Sequence, residues 1–351
     1  MKRLLALFLC LAMCLVFAGC NAKKNDEENT ENNNENAGIS ETQNENDEVK
    51  ESTEPVSVRV GALKGPTAMG LVKLMNDSDS EEDTGICDYE FSILASPEEI
   101  TQPLIKGELD IAAVPANLAS ILYNSTDGQI QTLAINTLGV LYIVENGDSV
   151  HSVEDLRGKT IYASGKGATP EYALNFMLES NGLEIGKDVN VEFRSEHSEC
   201  VAAITASEDA VALLPQPFVT TAMAANENIR IAIDLTKEWE NASDCTLVTG
   251  VMVARKDFVQ NHKDALDLFL EQYANSVDYV NENAKDASAL VENYGIVKAA
   301  VAEKAIPYCN IVCITGSQMK DKLAGYLEVL YGQNPKAVGG KLPDDGFYYG
   351  E

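Results

Sequence analysis

The chain has 351 residues, with 26 Lys and Arg against 55 Asp and Glu and a formal net charge of −29. So acidic a polymer repels nucleic-acid phosphates and anionic lipid headgroups, which excludes a nucleic-acid partner and electrostatic adhesion to a membrane. Only three histidines are present.

Lys2 and Arg3 precede an apolar run, Leu4–Phe17, that is too short and wrongly flanked to span a membrane and reads as an export signal. Phe17-Ala18-Gly19-Cys20 closes the run and resembles the lipobox of bacterial lipoproteins, with Phe17 where Leu is commoner. The resemblance implies a signal peptide over residues 1–19, cleavage before Cys20 and diacylation of Cys20. Residues 20–55 are then the lipidated cysteine and an acidic tether. Residues 21–54 are mostly Asn, Glu, Asp, Thr, Ser and Lys with no aromatic residue, and cannot bury enough apolar surface to offset the entropy of ordering. The tether is therefore expected to be disordered and self-repelling.

From Val56 the chain turns apolar and periodic. Val56–Leu63 alternates and predicts a strand, followed by the turn Lys64-Gly65-Pro66-Thr67 and a short helix through Met75. Asp88–Leu94 is the next strand. Ser96-Pro97-Glu98-Glu99 then carries an N-cap, a first-turn proline and a reciprocal capping glutamate. Ile111–Pro115 reads as a strand too short and apolar for a sheet edge, ahead of a helix from Ala116 to Tyr123. This alternation predicts an α/β fold with mostly parallel sheets covered on both faces.

The pattern restarts with strands over 130–136 and 139–144, separated by Thr137-Leu138. Ser152 opens a short helix, Lys159–Ala163 is a strand, and Gly165–Pro170 leads into a helix ending near Asn181-Gly182. Strands over 189–194, 210–214 and 229–234 alternate with helices near 199–206 and from Phe218, and Val248–Arg255 reads as a return strand. After Lys256 the pattern is helical throughout, over 258–282, 284–293, 297–306 and 316–331.

Two such halves with a helical C-terminal run resemble type II periplasmic binding proteins. Gly107–Ala112 with Pro115-Ala116-Asn117, Ser152–Lys159, Gly167–Tyr172 and Val251–Phe258 are similar to the substrate-binding proteins of nitrate-, sulfonate- and taurine-type ABC importers. Binding proteins for thiamine-pyrimidine precursors belong to the same superfamily. The similarity covers nearly all of 57–335. It implies two α/β lobes with a ligand cleft between them, one lobe from 56–137 with 250–351 and the other from 138–249. It further implies a monomer without catalytic activity or cofactor, partnered by a small-molecule ligand and by an ABC permease and its ATPase. Held by the lipid on Cys20, it would work at the extracytoplasmic face of the cell membrane.

In open α/β sheets ligands bind outside the carboxyl ends of strands. Gly65-Pro66-Thr67-Ala68 and Gly167-Ala168-Thr169, one per lobe, have the required form: glycine admits close backbone approach, threonine offers a hydroxyl, and the helix that follows presents free N–H groups. Lys64 and Lys166 flank these loops. Asn117 follows the third strand, where it offers an amide to a ligand or caps its helix. Gln216, in Pro215-Gln216-Pro217, stands where the resembled family carries an acidic residue, which disfavours a cationic ligand. Leu138-Gly139 and Thr249-Gly250 fall at the two interlobe crossings and serve as hinge and cleft floor. Trp239 either fringes the cleft or covers a lobe edge.

No residue pattern carries catalysis. His151, His197 and His262 each sit in a polar, exposed-looking context, and no phosphate-binding, zinc-protease or serine-hydrolase motif occurs. After removal of the signal, Cys87, Cys200, Cys245, Cys309 and Cys313 remain beside Cys20. This odd number, without zinc spacing, predicts unpaired thiols and no metal. The reading is a solute-binding lipoprotein for a small polar or anionic organic solute. Its alternatives are an enzyme on the same fold, of the menaquinone- or thiamine-pathway kind, and a ligand-sensing lipoprotein without transport.

Overall fold

The computed structural model describes residues 54–80 and 84–350. The expected signal peptide, Cys20 and the acidic tether lie outside the described residues. From residue 54 onward the chain belongs to one compact unit.

The first half of the chain runs β1 (Val56–Leu63), α1 (Pro66–Met69), α2 (Val72–Asp79), β2 (Cys87–Leu94), α3 (Pro97–Lys106), β3 (Ile111–Pro115), α4 (Ala116–Ser125), β4 (Ile130–Leu138) and β5 (Leu141–Asn146). A 3-10 turn at Val153–Leu156 leads to β6 (Thr160–Ala163), α5 (Thr169–Ser180), β7 (Asn190–Phe193), α6 (His197–Ala206), β8 (Val211–Pro215), α7 (Phe218–Ala225), β9 (Ile229–Asp234) and α8 (Leu235–Ala242). The chain closes with β10 (Val248–Arg255), α9 (Lys256–Asn261), α10 (Lys263–Glu282), α11 (Ala284–Asn293), α12 (Ala299–Ala305), β11 (Ile311–Ile314) and α13 (Gly316–Gln333).

Local chemistry sets these boundaries. At α3, Ser96 and Glu99 form the reciprocal capping box, and the helix stops where Gly107 takes φ 79°. At the 3-10 turn, Ser152 and Asp155 do the same. β3 is almost wholly buried and sits between β10 and β1, as its apolar run predicted.

Two sheets result, ordered β11-β4-β10-β3-β1-β2 and β7-β6-β8-β5-β9. Four strands of each point one way, namely β1 to β4 in the larger sheet and β6 to β9 in the smaller. β5 and β10 are the strands that follow the two crossings between sheets. Each lies inside its sheet, antiparallel to both neighbours. β11 also runs against β4. The ladders are therefore mixed, and the expectation of mostly parallel sheets holds for strand direction but not for pairing. A crossing strand that enters a new sheet from the shared edge has to run opposite to strands that end at that edge.

Several sequence expectations are corrected. Thr137 and Leu138 extend β4 and pair with β10 and β11, so they are not a linker. The helix after β1 breaks into α1 and α2, and α8 and β11 had no counterpart in the predicted order. Trp239 on α8 is 1% exposed, so it is core and not fringe. Its ring packs at a tilt against Phe176 and Tyr326, with ring centroids 4.5 and 5.6 Å away. All five cysteines from Cys87 onward are free.

One apolar cluster runs continuously from the inner face of the larger sheet, through α13, to α5, α8 and the inner face of the smaller sheet. Separate clusters cover the outer faces. Two buried carboxylates are paired. Asp110 takes two hydrogen bonds from the Arg59 guanidinium at 2.8 and 2.7 Å and one from Arg255 at 3.1 Å. Glu145, fully buried on β5, accepts from Arg230 at 2.9 Å and from the Ser149 and Val150 amides.

Candidate functional site

The two sheets adjoin where β4 passes into β5 through only Gly139 and Val140. The carboxyl end of β4 and the amino end of β5 are therefore at one edge. Because β8 and β9 run against β5, their carboxyl ends return to that edge, with Leu141 opposite Pro215 and Tyr142 opposite Asp234. In the larger sheet Gly250, at the start of β10, pairs with Pro115 and Thr137 at the ends of β3 and β4. Strand ends from both sheets thus converge, as the rule for open α/β sheets requires.

Every site residue expected from sequence lies along this edge. Gly65 follows β1 with φ 135°, a conformation open to glycine, and a side chain there would meet nothing within 4 Å. Thr67 donates its hydroxyl to the Leu63 carbonyl at 2.7 Å, and Pro66 and Ala68 complete the short α1. The Thr67 methyl lies 2.7 Å from where Gly250 would carry a Cβ, beside Asn136 and Thr137. Gly167 has φ 78° and, like Gly65, open space around it. Ala168 caps α5 without a side-chain hydrogen bond.

Other expected contacts are committed within the protein. Asn117 and Thr169 are buried, and their side chains meet: the Thr169 hydroxyl is 3.4 Å from Asn117 Oδ1 and 3.0 Å from the Tyr326 hydroxyl. Asn117 therefore neither caps its helix nor presents a free amide. Gln216 turns its carboxamide oxygen onto the Thr220 amide and hydroxyl at 3.3 and 2.9 Å, capping α7. Lys166 leans over the Phe193 ring, away from its loop, and the Glu171 carboxylate instead accepts from the Gly167 amide. Leu138 gives its amide to the Asn310 carbonyl at 3.1 Å. Asn310 also donates its side-chain amide to the Gly139 carbonyl, gripping the crossing from β11's side.

The structure adds residues that sequence reasoning missed. Asn136 Oδ1 and the hydroxyls of Thr137, Thr236 and Thr249 are buried at this edge without a hydrogen-bond partner. Unpaired buried polar atoms cost roughly 1–3 kcal/mol each, so a cluster of them marks a place where a ligand can supply partners. Asn136 and Thr137 were legible in part, as polar residues ending an otherwise apolar strand. On the smaller sheet, His197 begins α6, packs 5.0 Å from the Phe218 ring and hydrogen-bonds Ser164 through Nδ1. Burial pushes its pKa down to about 4, so the imidazole is neutral at physiological pH. This corrects the exposed reading of His197.

At the opposite edge of the larger sheet, a cavity of about 310 Å³ is lined by Ser57, Arg59, Asp110 and Arg255. Arg59 is paired with Asp110 and Arg255 is shared between Asp110 and Asp257, and the Asp110 carboxyl stays below its ordinary pKa because the arginines outweigh burial. That cavity is a structural ion cluster.

A family profile described as ABC transporter, phosphonate, periplasmic substrate-binding protein matches residues 81–305, more than half of the chain. The chain belongs to this family. As a member of the phosphonate-binding family it is the substrate-binding component of an ABC transporter, of extracytoplasmic type, and no helix among the described residues is long and apolar enough to cross a membrane. No curated protein matches the sequence. Among solved structures, an ABC transporter from Parabacteroides distasonis is similar at 25% identity, TM-score 0.72, over 83% of this chain and 98% of that one. The periplasmic aliphatic sulphonate binding protein SsuA from Escherichia coli follows at 14% identity and TM-score 0.68, over 84% and 92%. The desulfurization enzyme DSZB shares the fold at 12% identity and TM-score 0.62, over 84% and 96%. The fold of this substrate-binding family therefore also carries enzymes.

Proposed function

We propose that this protein captures a small oxoanion-bearing organic solute, a phosphonate or sulfonate, between two lobes and delivers it to the permease and ATPase of an importer. The lobes would be residues 56–137 with 250–351, and residues 138–249. The observation that carries this reading is the cluster of unpartnered Asn136, Thr137, Thr236 and Thr249 atoms at the edge where both sheets end. Hydroxyls and backbone N–H groups hold an oxoanion by donating to its oxygens, without an arginine clamp. Asn136 Oδ1, an acceptor, would take an N–H or O–H of the same solute. Gly65 and Gly167 leave open space through which the backbone of each lobe would meet it, the Gly167 amide itself being given to Glu171. A lipid on Cys20 would tether the protein outside the membrane, with residues 21–54 as the spacer.

Titration calorimetry of the purified protein with methylphosphonate, 2-aminoethylphosphonate, taurine, an alkanesulfonate and nitrate tests this. Saturable binding of a phosphonate or sulfonate is expected, abolished or weakened at least tenfold by Thr137→Val. Binding of none of these, or equal binding by Thr137→Val and wild type, would remove the proposed site.

A further inference from the structure

We infer that Tyr326 is a positioning residue for the 165–169 loop, acting through the Thr169 hydroxyl. The inference rests on the reading of that loop as a ligand contact. Within the loop, the Gly167 amide is tied to the Glu171 carboxylate and the Ala168 amide to the Gly165 carbonyl, but no side chain caps the helix it leads into. Gly165 and Gly167 both hold φ 78°. Glycines lose the most conformational freedom on ordering, so contacts from outside the loop add to these local ties in keeping it in place.

The holding contacts come from the far end of the sequence. Tyr326 lies on α13, fully buried, with its ring against Trp239. Its hydroxyl is 3.0 Å from the hydroxyl of Thr169, the first residue of α5. Asn117 fixes the direction of the protons. Its Nδ2 faces the Ala337 carbonyl, so Oδ1 is the acceptor for Thr169, and the Thr169 proton is thereby used. Tyr326 must then be the donor to Thr169. The first turn of α5, rooted in the smaller sheet, is thus held by residues after 325 and by α4 of the larger one. Inside the apolar cluster these bonds are shielded from water, where a hydroxyl without its partner is costly. The loop of one sheet is placed by side chains that belong with the other.

The test is amide hydrogen exchange across residues 165–172 in the full protein, paired with methylphosphonate affinity. Tyr326→Phe keeps the ring and deletes only the hydroxyl. We expect exchange at Gly167, Ala168 and Glu171 to rise at least fivefold, with amides of residues 319–330 unchanged. Thr169→Val, which also loses the Asn117 bond, should raise exchange at least as much, the double variant should add nothing beyond Thr169→Val, and Thr169→Ser should keep wild-type exchange. Unchanged loop exchange in Tyr326→Phe, or effects that multiply in the double variant, would overturn the inference. Affinity separates the underlying reading: a rise in exchange with unaltered methylphosphonate affinity keeps the Tyr326 tie and removes the loop from the ligand site.

Discussion

His197 illustrates how a single residue's role depends on its packing. Its neighbours in sequence, Glu196, Ser198 and Glu199, are exposed and made the whole segment look solvated. In the fold the ring lies against Phe218, and Ser164 satisfies one nitrogen. A base whose folded pKa is depressed destabilises the fold as pH falls. The unfolded chain takes up a proton near pH 6.5 while the folded chain resists until about 4. The cost is absent above neutrality, grows below pH 6.5 and is complete below about 4. At pH 5 it amounts to about 2 kcal/mol. Urea unfolding at pH 8 and pH 5 should show wild type losing about that much more stability than His197→Gln. Equal losses would mean that the packing around the half-buried His197 does not depress its pKa. Asn117 and Thr169 teach the same lesson. Their residue types were right for hydrogen bonding at strand ends, but their partners, Tyr326 and Ala337, lie far away in sequence, and no local pattern announces them.

At the scale of elements, the crossing from β4 to β5 is the tightest piece of construction. A Cβ at Gly139 would overlap the Thr236 hydroxyl of α8, while Asn310 holds the Gly139 carbonyl from the other side. Gly139→Ala should therefore cost about 1–3 kcal/mol by overpacking, and Thr236→Gly in the same chain should recover most of it. Chemical denaturation of the two single variants and the double checks this; additive losses would show that the two residues do not collide. Most elements were legible because their signals are local: the capping boxes at Ser96 and Ser152, and the alternation of β1. β11 was not, because four residues between two helical runs carry no period, and only pairing with β4 makes Ile311–Ile314 a strand. Thr137 and Leu138 looked like a linker for the same reason, since polar Asn136 and Thr137 interrupt an apolar run that β10 and β11 complete.

The whole molecule carries one apolar cluster that touches both sheets through α13, α5 and α8. With that shared core, neither sheet can lose its packing without exposing the other's. Thermal unfolding of residues 54–351 should be one cooperative transition, with calorimetric and van't Hoff enthalpies in agreement. Two resolved transitions would show that the sheets unfold separately and that the shared core contributes little.

The sequence by itself determined what depends on neighbours along the chain. Those features are the acidic charge that repels nucleic acid, the order of strands and helices, the capped helix starts and the glycine loops after β1 and β6. It placed the candidate binding residues at strand ends, because strand ends and turn chemistry are local. Only the tertiary structure decided which of those residues are free to meet a ligand. Thr169, Asn117 and Gln216 are committed to protein partners, while Asn136, Thr137, Thr236 and Thr249 keep unpaired atoms at the converging edge. The physical reason is that a hydrogen-bonding group is satisfied or left over according to what the fold brings within about 3 Å of it, and the partners that claim Thr169 and Asn117, Tyr326 and Ala337, come from chain segments more than a hundred residues away.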